Sequence, residues 1–275
     1  MPAAAGELLQ AARTRLAAVS AHPRRDAEIL LAFALGCVRV DLLAHPERVL
    51  SAAEGDRFET LVQRRLTCEP IQYIVGAQEF FGLQFEITSD VLIPRPETEH
   101  LVEAVLRLAD KNEILDVGTG SGAIAIALAY HSPNSRVTAV DISPVALEVA
   151  RRNARRHGVN DRMVFFQSDL LASVNAQFDV VVSNPPYVAE TEVLEPQVDR
   201  HEPHSALYAG PTGLEIYQRL IPQAREHLKP GGWLLMEIGF GQSDALKGLL
   251  TGWSNVTFVS DLQGIPRIVQ VRSGR

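Results

Sequence analysis

Asn184-Pro185-Pro186-Tyr187 follows the apolar run 178–183 and sets an amide, two rigid prolines and an aromatic ring where a strand should stop. An amide or exocyclic amine nitrogen is a poor nucleophile because its lone pair is delocalised. A site that makes it react needs fixed acceptors that draw its N–H groups out of plane. The side-chain oxygen of Asn184 is one such acceptor. The carbonyl of Pro185 is a second, and consecutive prolines fix φ so that its direction is set before a ligand arrives. Pro186 completes the rigid pair, and the ring of Tyr187 can cover a flat group. A turn that only terminates a strand has the same composition, so the tetrapeptide alone leaves both readings open.

Upstream, the strand-like residues Ile114 to Val117 run into Gly118-Thr119-Gly120-Ser121-Gly122, and the apolar stretch 123–130 follows with helical character. A glycine-rich turn of this kind brings backbone amides close to a ligand. The next strand, 136–140, ends in Asp141, a carboxylate placed to accept hydrogen bonds from ribose hydroxyls. Gly118-x-Gly120-x-x-Ala123 also fits a dinucleotide fingerprint, so a nicotinamide cofactor remains open on this unit alone. The tetrapeptide decides between the two. Hydride transfer has no use for two acceptors aimed at an NH2 group, whereas methyl transfer to nitrogen does, which points to S-adenosylmethionine.

These residues need a scaffold. The spacing predicts a third strand over 162–167, ending at Ser168-Asp169-Leu170, and a fourth over 177–183, ending at Asn184. Ser143 and Pro144 predict a helix start. From residue 97 onwards helices and strands alternate, the pattern of a mainly parallel sheet covered on both faces. Ligands bind at the carboxyl ends of such strands, so Gly118, Asp141, Asp169 and Asn184 should line one crevice. Lys229-Pro230-Gly231-Gly232 reads as a loop before a further strand.

The chain of 275 residues, 46% hydrophobic and 21% charged, can bury a full core and suggests one large and one small domain. The predicted organisation is a helical domain over 1–78, a hairpin or linker over 79–96 around Phe80-Phe81-Gly82, and an α/β domain over 97–275. Ser51 and Glu54 form a possible capping box in the first of these. Net charge is −7, the opposite of a nucleic-acid binder's usual surface. Arg151, Arg152, Arg155 and Arg156 fall near a helix C-terminus, where cations complement the helix dipole, so a solvated face is expected. The longest apolar run is far short of the ~20 residues that span a bilayer, and no basic-then-apolar leader pattern stands at the start, so a cytoplasmic protein is expected. Cys37 and Cys68 have neither disulfide nor metal spacing and read as buried, reduced thiols. His201-Glu202-Pro203-His204 matches no zinc motif, and Pro203 argues against both histidines projecting from one regular helix. No metal site is predicted.

Further segments carry a family likeness: Glu69-Pro70-Ile71-Gln72-Tyr73-Ile74, Phe80-Phe81-Gly82, Ile93-Pro94-Arg95-Pro96-Glu97-Thr98-Glu99, the Asp116–Gly122 turn, Glu202-Pro203, Glu237-Ile238-Gly239 and Asp261-Leu262-x-Gly264-x-x-Arg267. With the Asn-Pro-Pro-Tyr element they make the sequence resemble the HemK/PrmC family of protein-(glutamine N5) methyltransferases over nearly the whole chain. Adenine and cytosine amino-methyltransferases share the tetrapeptide alone. The resemblance implies a Rossmann-like class I S-adenosylmethionine-dependent methyltransferase domain behind a small helical, substrate-selecting domain. Its implied substrate is the glutamine of the Gly-Gly-Gln loop of class I peptide chain release factors; a ribosomal-protein glutamine and a nucleic-acid amine are the alternatives. Direct nucleic-acid or membrane partners are not expected. By the same resemblance Gly118, Thr119, Gly120, Ser121 and Gly122 would wrap the methionine and ribose part of the cofactor. Asp141 would bind the ribose hydroxyls, and Asp169 with Leu170 would border the adenine. Asn184 would touch both cofactor and glutamine, with Pro185, Pro186 and Tyr187 completing the glutamine pocket and Leu92 bordering it.

Overall fold

The computed structural model describes residues 4–109, 112–261 and 263–274. Leu262, within the last of the segments quoted above, lies outside the described residues. The chain forms two compact units, Met1–Ala77 with Leu194–His201, and Gln78–Val193 with Glu202–Arg275.

The first unit is helical: α1 (Ala5–Leu16), α2 (Pro23–Leu35), α3 (Arg39–Ala44), α4 (Ala52–Leu66) and α5 (Ile71–Val75). Its helices stop and start where the residues dictate. Proline opens α2, and Gly36 ends it in the left-handed conformation. Ser51 and Glu54 form the expected reciprocal capping box, and α4 runs through Gly55 unbroken. Leu16, Leu30, Leu31, Phe58, Val62 and Ile74 close one apolar core. Arg65 is buried at its edge. Its Nε donates to Asp26 Oδ2 at 2.8 Å, and its Nη atoms reach the carbonyls of Glu69 and Val19 and the side chain of Gln197. Both cysteines are free and half-buried, not buried, because each follows a helix end at the periphery of this core.

The second unit opens on a hairpin, β1 (Ala77–Phe80) and β2 (Leu83–Glu86). Its two turn residues, Phe81 and Gly82, both have positive φ, as a tight hairpin turn requires. Carboxylates brace the turn: Glu99 accepts from Phe81 N–H and Glu79 from Gly82 N–H. There follow α6 (Glu99–Leu106), β3 (Glu113–Val117), α7 (Ala123–His131), β4 (Arg136–Asp141), α8 (Pro144–Arg156), β5 (Met163–Gln167) and β6 (Phe178–Ser183). A small strand pair, β7 (Val188–Ala189) and β8 (Tyr208–Gly210), brackets α9 (Pro196–Asp199), which belongs to the helical unit. The chain closes with α10 (Glu215–His227), β9 (Leu228–Glu237), α11 (Ser243–Leu249), β10 (Ser254–Ser260) and β11 (Pro266–Arg272).

The main sheet has the order β10-β11-β9-β6-β3-β4-β5. The pairs joining β9, β6, β3, β4 and β5 are parallel, and β11 is antiparallel to both its neighbours. Successive residues of β3 and β6 are buried although they point to opposite faces, so both faces of the sheet are covered. The order reverses between β3 and β6, the topological switch point of a Rossmann-like sheet. Lys229-Pro230-Gly231-Gly232 lies inside β9 and not before it. There the register against β6 jumps from Phe178↔Leu228 to Val180↔Trp233, a bulge that accommodates the proline and glycines within the strand.

The arginine cluster on α8 is partly committed to the fold: Arg151 bonds Glu148 and the Phe165 carbonyl, and Arg152 pairs with Glu86. No helix among the described residues is long and apolar enough to cross a membrane.

Removing Arg65 leaves Asp26 buried without its cation. Arg65→Ala should therefore lower the unfolding free energy by about 3 kcal/mol, while Arg15→Ala, which breaks the exposed pair with Glu59, should cost about 1 kcal/mol or less. Urea denaturation of the two variants checks the contrast.

Candidate active site

Four strand ends supply one crevice. It is lined by Gly118 and Gly120 after β3, Asp141 at the end of β4, Asp169 and Leu170 after β5, and Asn184 and Pro186 after β6. Leu92 lines it as well, together with Pro203 of the Glu202-Pro203 segment and with Ile142 and Arg219, which nothing in the sequence singled out.

The turn after β3 is held by its own amides. Gly118 and Thr119 N–H both donate to the Val140 carbonyl, at 2.9 and 3.0 Å, and Gly122 N–H donates to the Thr119 carbonyl. Gly120 N–H donates to Asp141 Oδ2 at 2.8 Å. The turn folds back over the end of β4, so these N–H groups are spent inside the protein and its contribution to the crevice is close backbone approach. Thr119, Ser121 and Gly122 do not line the crevice. The Thr119 hydroxyl donates to Asp116 Oδ2 at 2.7 Å, and the Ser121 carbonyl accepts from Asn153 Nδ2 at 2.9 Å. Gly122 sits at φ 83°, which strains an L side chain, and a Cβ there would lie 3.1 Å from Ala150 Cβ and 3.3 Å from its Cα, so glycine allows the close approach of α8.

Asp141 accepts from Ser143 N–H through Oδ1 and from Gly120 N–H through Oδ2. Burial raises its pKa, and these backbone bonds oppose the rise. The Ile142 backbone bonds the carboxylate as well, which leaves one of its roughly four lone-pair sites for a ligand hydroxyl. Asp169 is half-exposed and paired with Arg219, and Leu170 adopts a positive φ of 50°.

Residues from two other segments, Thr98 at the start of α6 and the stretch 237–242, set the tetrapeptide after β6. Asn184 Nδ2 donates to Thr98 Oγ1 at 3.1 Å, and Pro185 is buried and does not line the crevice. Tyr187 does not line the crevice. Its ring packs against the core and its hydroxyl donates to Glu237 Oε1 at 3.3 Å. Its carbonyl accepts from Gln242 Nε2 at 3.0 Å. Gly239 lets the ring in: a Cβ there would lie 3.0 Å from Tyr187 Cδ2. Burial, then the charge of Glu237, push the Tyr187 hydroxyl pKa up, so it stays a donor.

Thr98, Glu237 and Gln242 were not predicted as site residues, nor was the pairing of Arg95 with Glu202, whose other oxygen accepts from Ile93 N–H at 3.2 Å. Apart from Gln242 their segments stood out in the family likeness, but no local pattern pairs groups 50 or more residues apart. Glu202 is thereby committed to the fold, and among the described residues no group of three or more His, Cys, Asp and Glu is arranged to hold a metal ion.

A family described as PrmC N-terminal domain matches residues 7–76, and one described as methyltransferase small domain matches residues 96–200. The release factor glutamine methyltransferase of Koribacter versatilis is 51% identical over 260 residues, 92% of each chain. That of Geobacter sulfurreducens is 44% identical over 92% of this chain and 90% of its own length. Among solved structures, a methyltransferase from Pyrococcus furiosus superposes with a TM-score of 0.54 at 23% identity, covering 71% of this chain and 91% of its own. The hMettl16 catalytic domain, solved in complex with the MAT2A 3'UTR hairpin 6, gives a TM-score of 0.58 at 20% identity, covering 83% and 85%. At these identities the likeness to the solved structures is one of fold.

Two carboxyls near the site are fully buried. Desolvation raises Asp116 to about 7, with the charge of Asp141 adding to it and the Thr119 bond opposing. Desolvation likewise raises Glu237 to about 7, opposed by its bonds to Thr98 and Tyr187. An acid whose folded pKa is raised stabilises the fold fully below its unfolded value of about 4, and that contribution is lost as the pH rises through the folded value. The denaturation midpoint should fall between about pH 4 and pH 7 on this account. Asp116→Asn should make that fall shallower in denaturant titrations at a series of pH values.

Proposed function

The chain belongs to the HemK/PrmC family of release factor glutamine methyltransferases, and from that premise we propose that it methylates the side-chain amide nitrogen of the glutamine in the Gly-Gly-Gln loop of class I peptide chain release factors, using S-adenosylmethionine. The observation that carries this reading is the position of Asn184. It stands at the end of β6 on the same crevice as Gly118, Asp141 and Asp169, with its NH2 engaged by Thr98 and its oxygen left for an acceptor role.

The crevice fits an adenosyl ligand by the chemistry of its groups. Asp141 supplies a half-buried carboxylate, already braced by backbone N–H groups, as the acceptor for ribose hydroxyls. Leu170, Ile142 and Pro203 supply apolar surface for a flat base. Gly118 and Gly120 add backbone without side chains, and a Cβ at either would project into open space. When bound, the sulfonium supplies a methyl group already activated for attack: the amide nitrogen forms the C–N bond as the S–C bond breaks, one N–H proton passes to solvent, and N5-methylglutamine and S-adenosylhomocysteine result.

The protein's share is alignment and charge stabilisation. Asn184 Oδ1 and the Pro185 carbonyl accept from the glutamine NH2, and those bonds strengthen as the nitrogen loses its planarity and gains positive charge. Tyr187 acts from behind: anchored on Glu237, it fixes the end of the tetrapeptide and does not cover the substrate. The helical unit selects the protein substrate, a role supported by its match to the PrmC N-terminal domain.

Asp141→Ala should weaken S-adenosylmethionine binding in calorimetric titration while leaving the fold intact. Asn184→Ala should slow single-turnover transfer to a release factor by about 10² to 10³ while cofactor affinity changes less. Labelled methyl groups should appear on the loop glutamine by mass spectrometry; label in ribosomal protein or RNA instead would overturn the assignment.

A further inference from the structure

One buried carboxylate holds both ends of the tetrapeptide. Glu237 Oε1 accepts from the Tyr187 hydroxyl at 3.3 Å, and Glu237 Oε2 accepts from Thr98 Oγ1 at 2.6 Å. Thr98 in turn accepts from Asn184 Nδ2 at 3.1 Å. A threonine hydroxyl carries a single proton. Because that proton is given to the carboxylate, Thr98 can only accept from Asn184, and only the NH2 end of the Asn184 amide can satisfy it. The amide oxygen must then point the other way.

Thr98 stands at the start of α6, where a threonine commonly caps the helix. Its side chain makes no capping bond. Both Thr98 and Glu237 are buried, and the stiff χ1 of a β-branched side chain limits where the hydroxyl can go. The hydroxyl is thus committed to the chain Asn184–Thr98–Glu237 and not to the local backbone.

We propose that Thr98 and Glu237 are positioning residues for methyl transfer, which through their hydrogen-bond chain force Asn184 to present its amide oxygen, not its NH2, to the nitrogen that receives the methyl group. This rests on the reading of the substrate as a glutamine amide. With the chain reversed, Thr98 would donate to the Asn184 oxygen, and the Asn184 NH2 would face the substrate NH2, donor against donor.

The direction of the chain depends on the charge of Glu237. Facing that carboxyl are Glu97 before α6, Tyr187 after β6, Tyr217 on α10 and Arg267 on β11. Burial holds it close to neutrality's edge, at about 7. A proton on Oε2 turns that oxygen into a donor, sends the Thr98 proton towards Asn184 and reverses the amide. Transfer should therefore weaken as the pH falls through this range, with the ionised form active.

The test is single-turnover transfer from S-adenosylmethionine to a release factor carrying a Gly-Gly-Gln loop, across about pH 6 to 8. Thr98→Val keeps the shape and removes the hydroxyl; it should slow the chemical step by about 10- to 100-fold with cofactor affinity within about twofold of wild type. Thr98→Ser should restore most of the rate, which a role in packing the threonine methyl alone would not produce. Glu237→Gln cannot ionise and should flatten the acid limb of the profile. Wild-type rates in Thr98→Val, failure of serine to rescue a slow valine variant, or an unchanged acid limb in Glu237→Gln would each overturn the proposal. Absence of glutamine methylation by the wild-type protein would instead remove the substrate reading on which it rests.

Discussion

The parallel pairing of β3 with β6 is the constraint on which the site depends. The register Ile114↔Val180 through Val117↔Ser183 brings the two strands to the same level at their carboxyl ends. Ser183 Oγ donates to the Val117 carbonyl at 2.7 Å, a buried side-chain bond laid across the last rung. The residues that follow, Gly118 on one strand and Asn184 on the other, must then emerge side by side. This is also where the strand order reverses, so the chain leaves β3 and β6 in diverging directions and leaves an opening between them. A slip of one residue in this register would turn the buried valines of β6 to the opposite face and carry Asn184 away from the glycine turn.

Around that opening the protein spends buried polar groups freely. Asp116 steadies the turn through Thr119, Asn153 ties the turn to β2 by bonding both the Ser121 and Glu86 carbonyls, and Glu237 holds the tetrapeptide. Each has a specific partner, as burial demands, although Asp116 Oδ1 is left buried without one. Desolvation nevertheless leaves Asp116 and Glu237 close to protonation at neutral pH. Such groups destabilise the fold in their charged form; in exchange they allow only one arrangement of the surrounding loops.

Much of this layout was legible in the residues. Gly118, Asp141, Asp169 and Asn184 each ended an apolar run, and the carboxyl-end rule of parallel sheets was enough to bring them to one crevice. Ser51 with Glu54 and Ser143 with Pro144 fixed two helix starts because capping is local chemistry. What stayed hidden was tertiary. Tyr187 read as a cover because an aromatic ring beside an amide suggests stacking, yet its hydroxyl finds a carboxylate on β9. The Pro230-Gly231-Gly232 stretch read as a loop because proline and glycine break strands, and only the neighbouring strand β6 shows that a bulge absorbs them. The amides of the glycine turn read as ligand donors because nothing in the sequence reveals that the Val140 carbonyl already claims two of them.

The segment Leu194–His201 belongs to the helical unit although it lies in the middle of the α/β chain. Gln197 receives a bond from Arg65 and His201 contacts the Thr67 carbonyl, both within that unit. The polypeptide therefore passes between the units three times, and two of those passages flank crevice-forming chain, after Tyr187 and before Glu202. The helical unit is consequently not a cassette with a single splice point. Exchanging it with that of a relative therefore requires grafting Leu194–His201 along with the N-terminal residues, so two separated stretches of sequence have to change in concert.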